Sequence, residues 1–376
     1  SRACVAMLRA EIAAAGGWLS FARYMDRALY APGLGYYAAG ARKFGVAGDF
    51  VTAPEISPLF GRCLARAIED TVRTTQGDVL ELGPGSGKLA RDVLLELDAR
   101  GAVPNRYVML EVSADLRERQ GALLRELPGH LFERIEWCDS IPKSLRGAVL
   151  ANEVLDVIPI HLLSFKAGMW HKRGVIVQGE AFAWEDRACG DARLIEQARS
   201  IETQHFGGSM PDSYLLELCP QAGALVSSVG AAMAEGAMLW IDYGFRAAEF
   251  YHPSRHMGTL MCHYRHHAHD DPFYLPGLQD ITSHVDFSAL HDVADQSGLP
   301  LAGYTTQAHF LINCGITAIL GRTASSDTQH YLSQAQAVQK LISPAEMGEL
   351  FKVIAFGKNF VEPLHGFNTG DMSRLL

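Results

Sequence analysis

Asp78-Val79-Leu80-Glu81-Leu82-Gly83-Pro84-Gly85-Ser86-Gly87-Lys88 is the stretch whose reading decides the fold. Its first five residues are apolar at 79, 80 and 82, the composition of a buried strand, and the Gly-Pro-Gly that follows forbids their continuing as a helix. Residues 83–87 then read as a tight turn and residues 88–98 as an amphipathic helix. A strand passing through a glycine turn straight into a helix opens a βαβ unit, and hence a parallel sheet. Gly83, Gly85 and Gly87 let the backbone turn sharply and approach a ligand where a side chain would clash. The nicotinamide fingerprint G-x-G-x-x-G needs a sixth-position glycine, and that position is Lys88, which weakens a dinucleotide reading. An ordinary β–α turn is the competing interpretation.

Outward from this turn the alternation continues. Residues 106–111 and 135–138 read as strands, with a helix over 114–127 between them capped by Ser113. Residues 147–151, 236–243, 301–306 and 352–356 are further strands, and 220–234 and 287–296 further helices. Ser343-Pro344-Ala345-Glu346 has the form of a capping box opening a helix. Upstream, residues 3–30 form a helical arm broken at Gly16-Gly17, and Ser57-Pro58 starts a helix to about residue 73. Residues 161–184 alternate apolar and polar around glycine turns, as antiparallel hairpins do, whereas 246–282 is an irregular stretch dense in His and Asp. The expected organisation is an N-terminal helical arm and cofactor-covering loop (1–60), the first part of an α/β core (61–160), a hairpin insertion (161–210), core continuation (211–245), a His/Asp-rich lid or acceptor loop (246–285) and the C-terminal part of the core (286–376).

Composition bounds the function. The chain has 376 residues, 48% hydrophobic and 20% charged, enough for a proper core and unlike a disordered chain. A net charge of -9 argues against a broad grip on nucleic acid, which comes from clustered Lys and Arg. No run approaches the roughly 18–20 apolar residues needed to cross a bilayer. The seven cysteines are scattered singly, with neither zinc-ribbon spacing nor a disulfide framework, which suits a reducing compartment. His263, His266, His267 and His269 with Asp270 and Asp271 resemble metal ligands by composition only, since they lack a ligating spacing on a helix; no metal is expected. No G-x-S-x-G elbow supplies a hydrolase nucleophile.

Glu81, two residues before a G-x-G-x-G turn, resembles class I S-adenosylmethionine (SAM) methyltransferases, in which the turn, here Gly83, Pro84, Gly85, Ser86 and Gly87, faces the amino-acid part of the cofactor and the acid helps hold its ammonium. Glu111 at the end of the second strand can then accept both ribose hydroxyls, and Asp139 after the third strand is placed for a polar contact to adenine. A solvated strand end remains the alternative for Glu111. The expected fold class is therefore α/β, a class I SAM-methyltransferase Rossmann-like sheet with an N-terminal helical arm, inserted antiparallel hairpins and a lid loop.

Three longer segments narrow the resemblance: Gly48-Asp49-Phe50-Val51-Thr52-Ala53-Pro54-Glu55-Ile56-Ser57-Pro58-Leu59-Phe60-Gly61, Ala151-Asn152-Glu153-Val154-Leu155-Asp156 and Asp280-Ile281-Thr282-Ser283-His284-Val285-Asp286-Phe287. They are similar to the hallmark segments of the MidA-type family, which includes the mitochondrial protein arginine methyltransferase that assists assembly of respiratory complex I. The resemblance implies a SAM-dependent methyltransferase acting on a protein substrate that presents arginine. It leaves open another acceptor (a different protein side chain, a metabolite or RNA), or an assembly chaperone with a dispensable SAM site. The compartment implied is cytoplasmic, or the mitochondrial matrix if a transit segment was removed, and a homodimer is left open.

Asn152, Glu153 and Asp156 follow the fourth strand, at the carboxyl edge where open α/β sheets bind ligands. Glu153 and Asp156 can fix a planar guanidinium bidentately while leaving one nitrogen to attack a methyl group. Better-known arginine methyltransferases carry a double-glutamate loop here, and Asn-Glu-x-x-Asp departs from it. Complementing a helix dipole is the plainer role for the two acids. Residues 49–55 are expected to fold over the cofactor, with Thr52 and Glu55 as contacts, or else simply to tie the arm to the core. Asp270, Asp271, His284 and Asp286 are candidate acceptor-binding residues of the lid.

Overall fold

Alternating short apolar strands and amphipathic helices produce a doubly wound sheet in the computed structural model, which describes residues 1–38, 52–322 and 328–376. The main sheet contains β1 (Asp78–Leu82), β2 (Tyr107–Leu110), β3 (Ile135–Cys138), β4 (Leu145–Asn152), β5 (Met233–Phe245), β6 (Leu301–Thr306) and β7 (Phe351–Lys358). Their spatial order is β3-β2-β1-β4-β5-β7-β6. The first five run parallel, and β7 lies antiparallel to both its neighbours. A short strand, Val285–Asp286, pairs with the end of β5. Apolar side chains fill both faces: Val79, Leu64, Ile68, Val93 and Leu97 on one, Leu80, Trp240, Phe287 and Leu290 on the other. Double coverage is why these strands read as nearly continuous apolar runs.

The order reverses at β1 and β4, since the chain leaves β1 towards β2 and β3 and returns on the other side as β4. Loops leaving two adjacent strands in opposite directions open a crevice beyond their carboxyl ends. Leu82 pairs with Ala151, so the glycine turn and Asn152 emerge at the same level.

A second, antiparallel sheet is made of Leu19–Ser20, Met169–Gln178, His161–Lys166, Leu215–Leu218 and Ala181–Ala188. Helices Arg2–Ala14 and Phe21–Tyr30 pack on it through Leu8, Phe21, Tyr24 and Met25 against Leu162, Val175 and Leu215. The hairpins over 161–184 form as expected. The segment 161–210 is more than hairpins, however: Ala192–Phe206 is a helix, capped by Asp191 and closed by Gly207 at φ 61°. Residues 246–285 also hold more order than expected, with a small sheet of Met261–Tyr264 between His267–His269 and Asp280–Thr282. No helix opens at Ser343. A helix over Thr328–Ile342 ends there, and the following Pro344 stands where proline commonly follows a finished helix. The expectation for Asp49 and the rest of 39–51 lies outside the described residues.

Candidate active site

The glycine turn adopts the conformation for which its residues were singled out. Gly83, Gly85 and Gly87 all have positive φ, 61°, 52° and 84°, in the left-handed region that side chains avoid. A Cβ on Gly83 would lie 3.1 Å from Val154 Cγ2, and one on Gly87 3.3 Å from Gln120 Cγ. The turn forms one wall of a cavity of about 710 Å³. Glu111 and Val112 line it from the end of β2, and Asn152, Glu153 and Asp156 from the end of β4. Tyr30, Tyr37, Thr52 and Glu55 line it from the N-terminal part of the chain.

Glu55 explains the missing sixth-position glycine. One of its oxygens accepts from Ser86 Oγ, and the other forms a 2.6 Å ion pair with Lys88 Nζ. The acid therefore ties the short helix Ala53–Ile56 to the turn, a task glycine at 88 could not perform.

Glu111 sits where the second strand ends, buried, with Oε1 accepting from Ser113 N at 2.8 Å and Oε2 from Gln120 Nε2 at 3.2 Å. Burial pushes its carboxyl above the ordinary range. Gln120 escaped the sequence reading. It also donates to Gly85 O at 2.9 Å and accepts from Trp137 Nε1 at 2.9 Å, so one buried amide holds the turn and the acid at fixed separation. Its position on the inward face of the helix Ala114–Leu124 was the available signal. Glu81 is buried beneath the turn, accepts from Tyr107 Oη at 2.8 Å and is pushed up to about 7 by desolvation.

At the other wall, Glu153 adopts φ 54°, an uncommon conformation for a residue with a Cβ and one that accumulates at functional sites. Its N–H donates to Ile241 O at 2.9 Å and its Oε1 accepts from Asn152 Nδ2 at 3.0 Å. Desolvation, then the charge of Asp156, raise Glu153 to about 8. Asp156 is buried and raised by desolvation, although Tyr243 Oη donates to its Oδ2 at 2.5 Å. Behind them Asp242, equally buried, accepts from the N–H groups of Leu155, Asp156 and Tyr243 and thereby fixes the turn. Asn152 Oδ1 and Asp156 Oδ1 are buried with no partner among the described residues.

Other candidates are not brought here. Asp139 is exposed beyond β3 and does not line the cavity. Asp286 is a helix cap, its Oδ1 accepting from Ser288 N and Ala289 N and its Oδ2 from Tyr251 Oη. His284 packs against the rings of Tyr243 and Phe245, and with Asp286 it lines a separate void of about 70 Å³. Asp270 and Asp271 are exposed, and Asp271 Oδ1 accepts from Phe273 N.

Six carboxylates line the cavity, Glu55, Glu81, Glu111, Asp115, Glu153 and Asp156, and no Lys, Arg or His does so among the described residues. Such a wall suits ligands bearing positive charge, and SAM carries a sulfonium and an ammonium. The glycine cradle, the acid ending β2 and the size of the cleft fit that cofactor. Sheet order, turn and acid together define a SAM-dependent methyltransferase.

Comparison with known proteins narrows the class. Residues 59–305 match the family described as "Putative S-adenosyl-L-methionine-dependent methyltransferase", and the chain belongs to that family. "Protein arginine methyltransferase NDUFAF7, mitochondrial" from Danio rerio is 30% identical over 95% of this chain and 90% of its own length. The Homo sapiens protein of that name is 28% identical over 90% and 80%. A crystal structure of a Burkholderia thailandensis protein bound to S-adenosyl-homocysteine is 48% identical, with a TM-score of 0.94 over 100% of this chain and 97% of its own. The cofactor is SAM.

Proposed function

We propose that this methyltransferase modifies arginine side chains of a protein substrate. The carrying observation is the pair Glu153 and Asp156, half-buried and buried on a cavity wall that offers acids and, among the described residues, no base. The relatives' name, protein arginine methyltransferase, supports the same reading. The turn at 83–87, Glu81 and Glu111 hold the cofactor, and Thr52 and Glu55 close over it. When bound, SAM supplies an electrophilic methyl group on its sulfonium. Glu153 and Asp156 orient the guanidinium, Asn152 sets the rotamer of Glu153, and the carboxylates take up the proton released when the attacking nitrogen is alkylated. Burial raises the affinity of Glu153 for a proton, and a cation lying beside it favours the ionised form, which is the form able to accept one.

Nucleic acid is a poor acceptor for so acidic a cleft. Asp270 and Asp271 would meet a substrate only outside the cavity. A homodimer stays part of the proposal, as does the mitochondrial matrix, in keeping with the word mitochondrial in the relatives' names; no described helix is long and apolar enough to cross a membrane. Methylation proteomics of wild-type and deletion cells tests the function: arginine methylation of defined proteins should disappear. Rescue of the deletion by a cofactor-dead variant would instead assign an assembly role that does not need methyl transfer.

A further inference from the structure

We propose that Tyr30 and Tyr37 form an aromatic wall that seats the acceptor's cationic group against Glu153 and Asp156. The inference rests on the arginine reading and assigns the helix Phe21–Tyr30 and the residues to Tyr37, with the second sheet on which that helix packs, to the acceptor side of the reaction. The two rings stack with centroids 5.6 Å apart and planes at 19°, and both line the cavity that Glu153 and Asp156 line. Their hydroxyls are engaged: Tyr30 Oη donates to Val157 O at 2.8 Å, and Tyr37 Oη lies 3.1 and 3.0 Å from the two oxygens of Asp280. Tyr36 meets Tyr37 edge-on at 5.0 Å. These contacts fasten the rings to the segment just after Asp156 and to the small sheet, and both residues line the cavity beside its carboxylates.

That combination selects a particular chemistry. A ring face attracts a cation through its quadrupole, and a planar guanidinium can stack on it while its edge binds carboxylates. An ammonium is more strongly hydrated and lacks the plane, and an uncharged urea group gains neither contact. The mounting is rigid: Tyr30 is the last residue of the helix Phe21–Tyr30, whose buried residues Phe21, Met25 and Leu29 belong to the same core as Leu162, Val175 and Ile281. The antiparallel sheet, which adds nothing to the cofactor cradle, thus has a purpose as the platform of this wall.

The test uses the full chain saturated with S-adenosyl-homocysteine and three probes, the N-acetyl methylamides of arginine, citrulline and lysine, with binding followed by calorimetry or ligand-observed NMR. The arginine probe should bind at least about ten-fold more tightly than the citrulline probe, as expected of one cation–π contact beside carboxylates. Tyr30→Leu should lose about that factor and leave S-adenosyl-homocysteine affinity unchanged, whereas Tyr30→Phe, which keeps the ring, should retain most of it. Tyr37→Leu should behave as Tyr30→Leu does. Unchanged arginine-probe binding in both leucine variants overturns the wall while leaving the arginine reading intact, and absence of binding by all three probes to the wild type also overturns it. Preference for the lysine probe, lost in the leucine variants, would support the wall and refute arginine as the acceptor.

Discussion

Tyr243 donates its phenolic hydrogen to Asp156 Oδ2 at 2.5 Å, while Oδ1 of the same carboxyl is buried without a hydrogen-bond partner among the described residues. One oxygen is thus anchored, which fixes the plane of the carboxyl at the cavity wall. Asp242 adds to this by accepting from the backbone N–H of Asp156 at 3.2 Å, and Ser283 N donates to Asp156 O at 2.9 Å. Tyr243→Phe should lower turnover by roughly ten- to a hundred-fold, the usual cost of losing a hydrogen bond to a charged group. Because that bond favours ionised Asp156, its removal raises the carboxyl further, and the acid limb of kcat/KM should move to higher pH. Superimposable pH profiles in variant and wild type would remove Tyr243 from the mechanism.

Gly85→Val should abolish cofactor binding. At φ 52° a β-branched residue is strained by on the order of 1–3 kcal/mol, and its side chain also stands at the turn that lines the cleft. Calorimetry with S-adenosyl-homocysteine should show a loss of about a hundred-fold or more. Wild-type affinity would move the cofactor away from this turn.

Gln120→Leu tests whether separation of turn and acid matters as much as either alone. Leucine keeps the bulk but releases Gly85 O, Glu111 Oε2 and Trp137 Nε1 at once. Buried groups left unpaired cost about 1–3 kcal/mol, so cofactor affinity should fall by roughly ten-fold or more and thermal stability should drop. A variant that melts lower yet binds normally would confine Gln120 to folding.

Much of this was legible in the sequence where one residue type had one physical reason to be present. The glycines at 83, 85 and 87 read as a tight turn and form one at positive φ, and Glu111 directly follows β2. Ser113 caps its helix by accepting from Leu116 N. Legibility failed where a local pattern had two physical meanings. Asp286, expected among the acceptor-binding residues, instead caps the helix Phe287–Gln296, the second meaning that an Asp directly before a helix carries. Ser343 to Glu346 has the letters of a helix start but follows a helix that already ends. Tyr243 and Gln120 act across elements, 87 and 35 residues from Asp156 and Gly85 respectively, and no spacing within one segment announces such a partner.

Glu153→Gln keeps the shape of the side chain and removes its charge, and it separates stability from catalysis. Folding raises this carboxyl from its ordinary 4.5 to about 8, so the folded state binds the proton more tightly than the unfolded one. The sign follows: the associated stability is fully present below about pH 4.5 and is lost as pH rises through about 8. Glu81, pushed up to about 7, acts in the same direction, so the comparison must be variant against wild type. Without cofactor, Glu153→Gln should melt close to wild type at pH 5 and roughly a few degrees higher at pH 9. Its turnover on the natural acceptor should nevertheless fall on the order of a hundred-fold, with cofactor affinity little changed, because a charge-assisted partner of the guanidinium has gone. Melting curves across pH and single-turnover methylation decide the two halves independently. A variant that gains stability at high pH but methylates at the wild-type rate would keep Glu153 as a strained, desolvated acid and remove it from the guanidinium clamp.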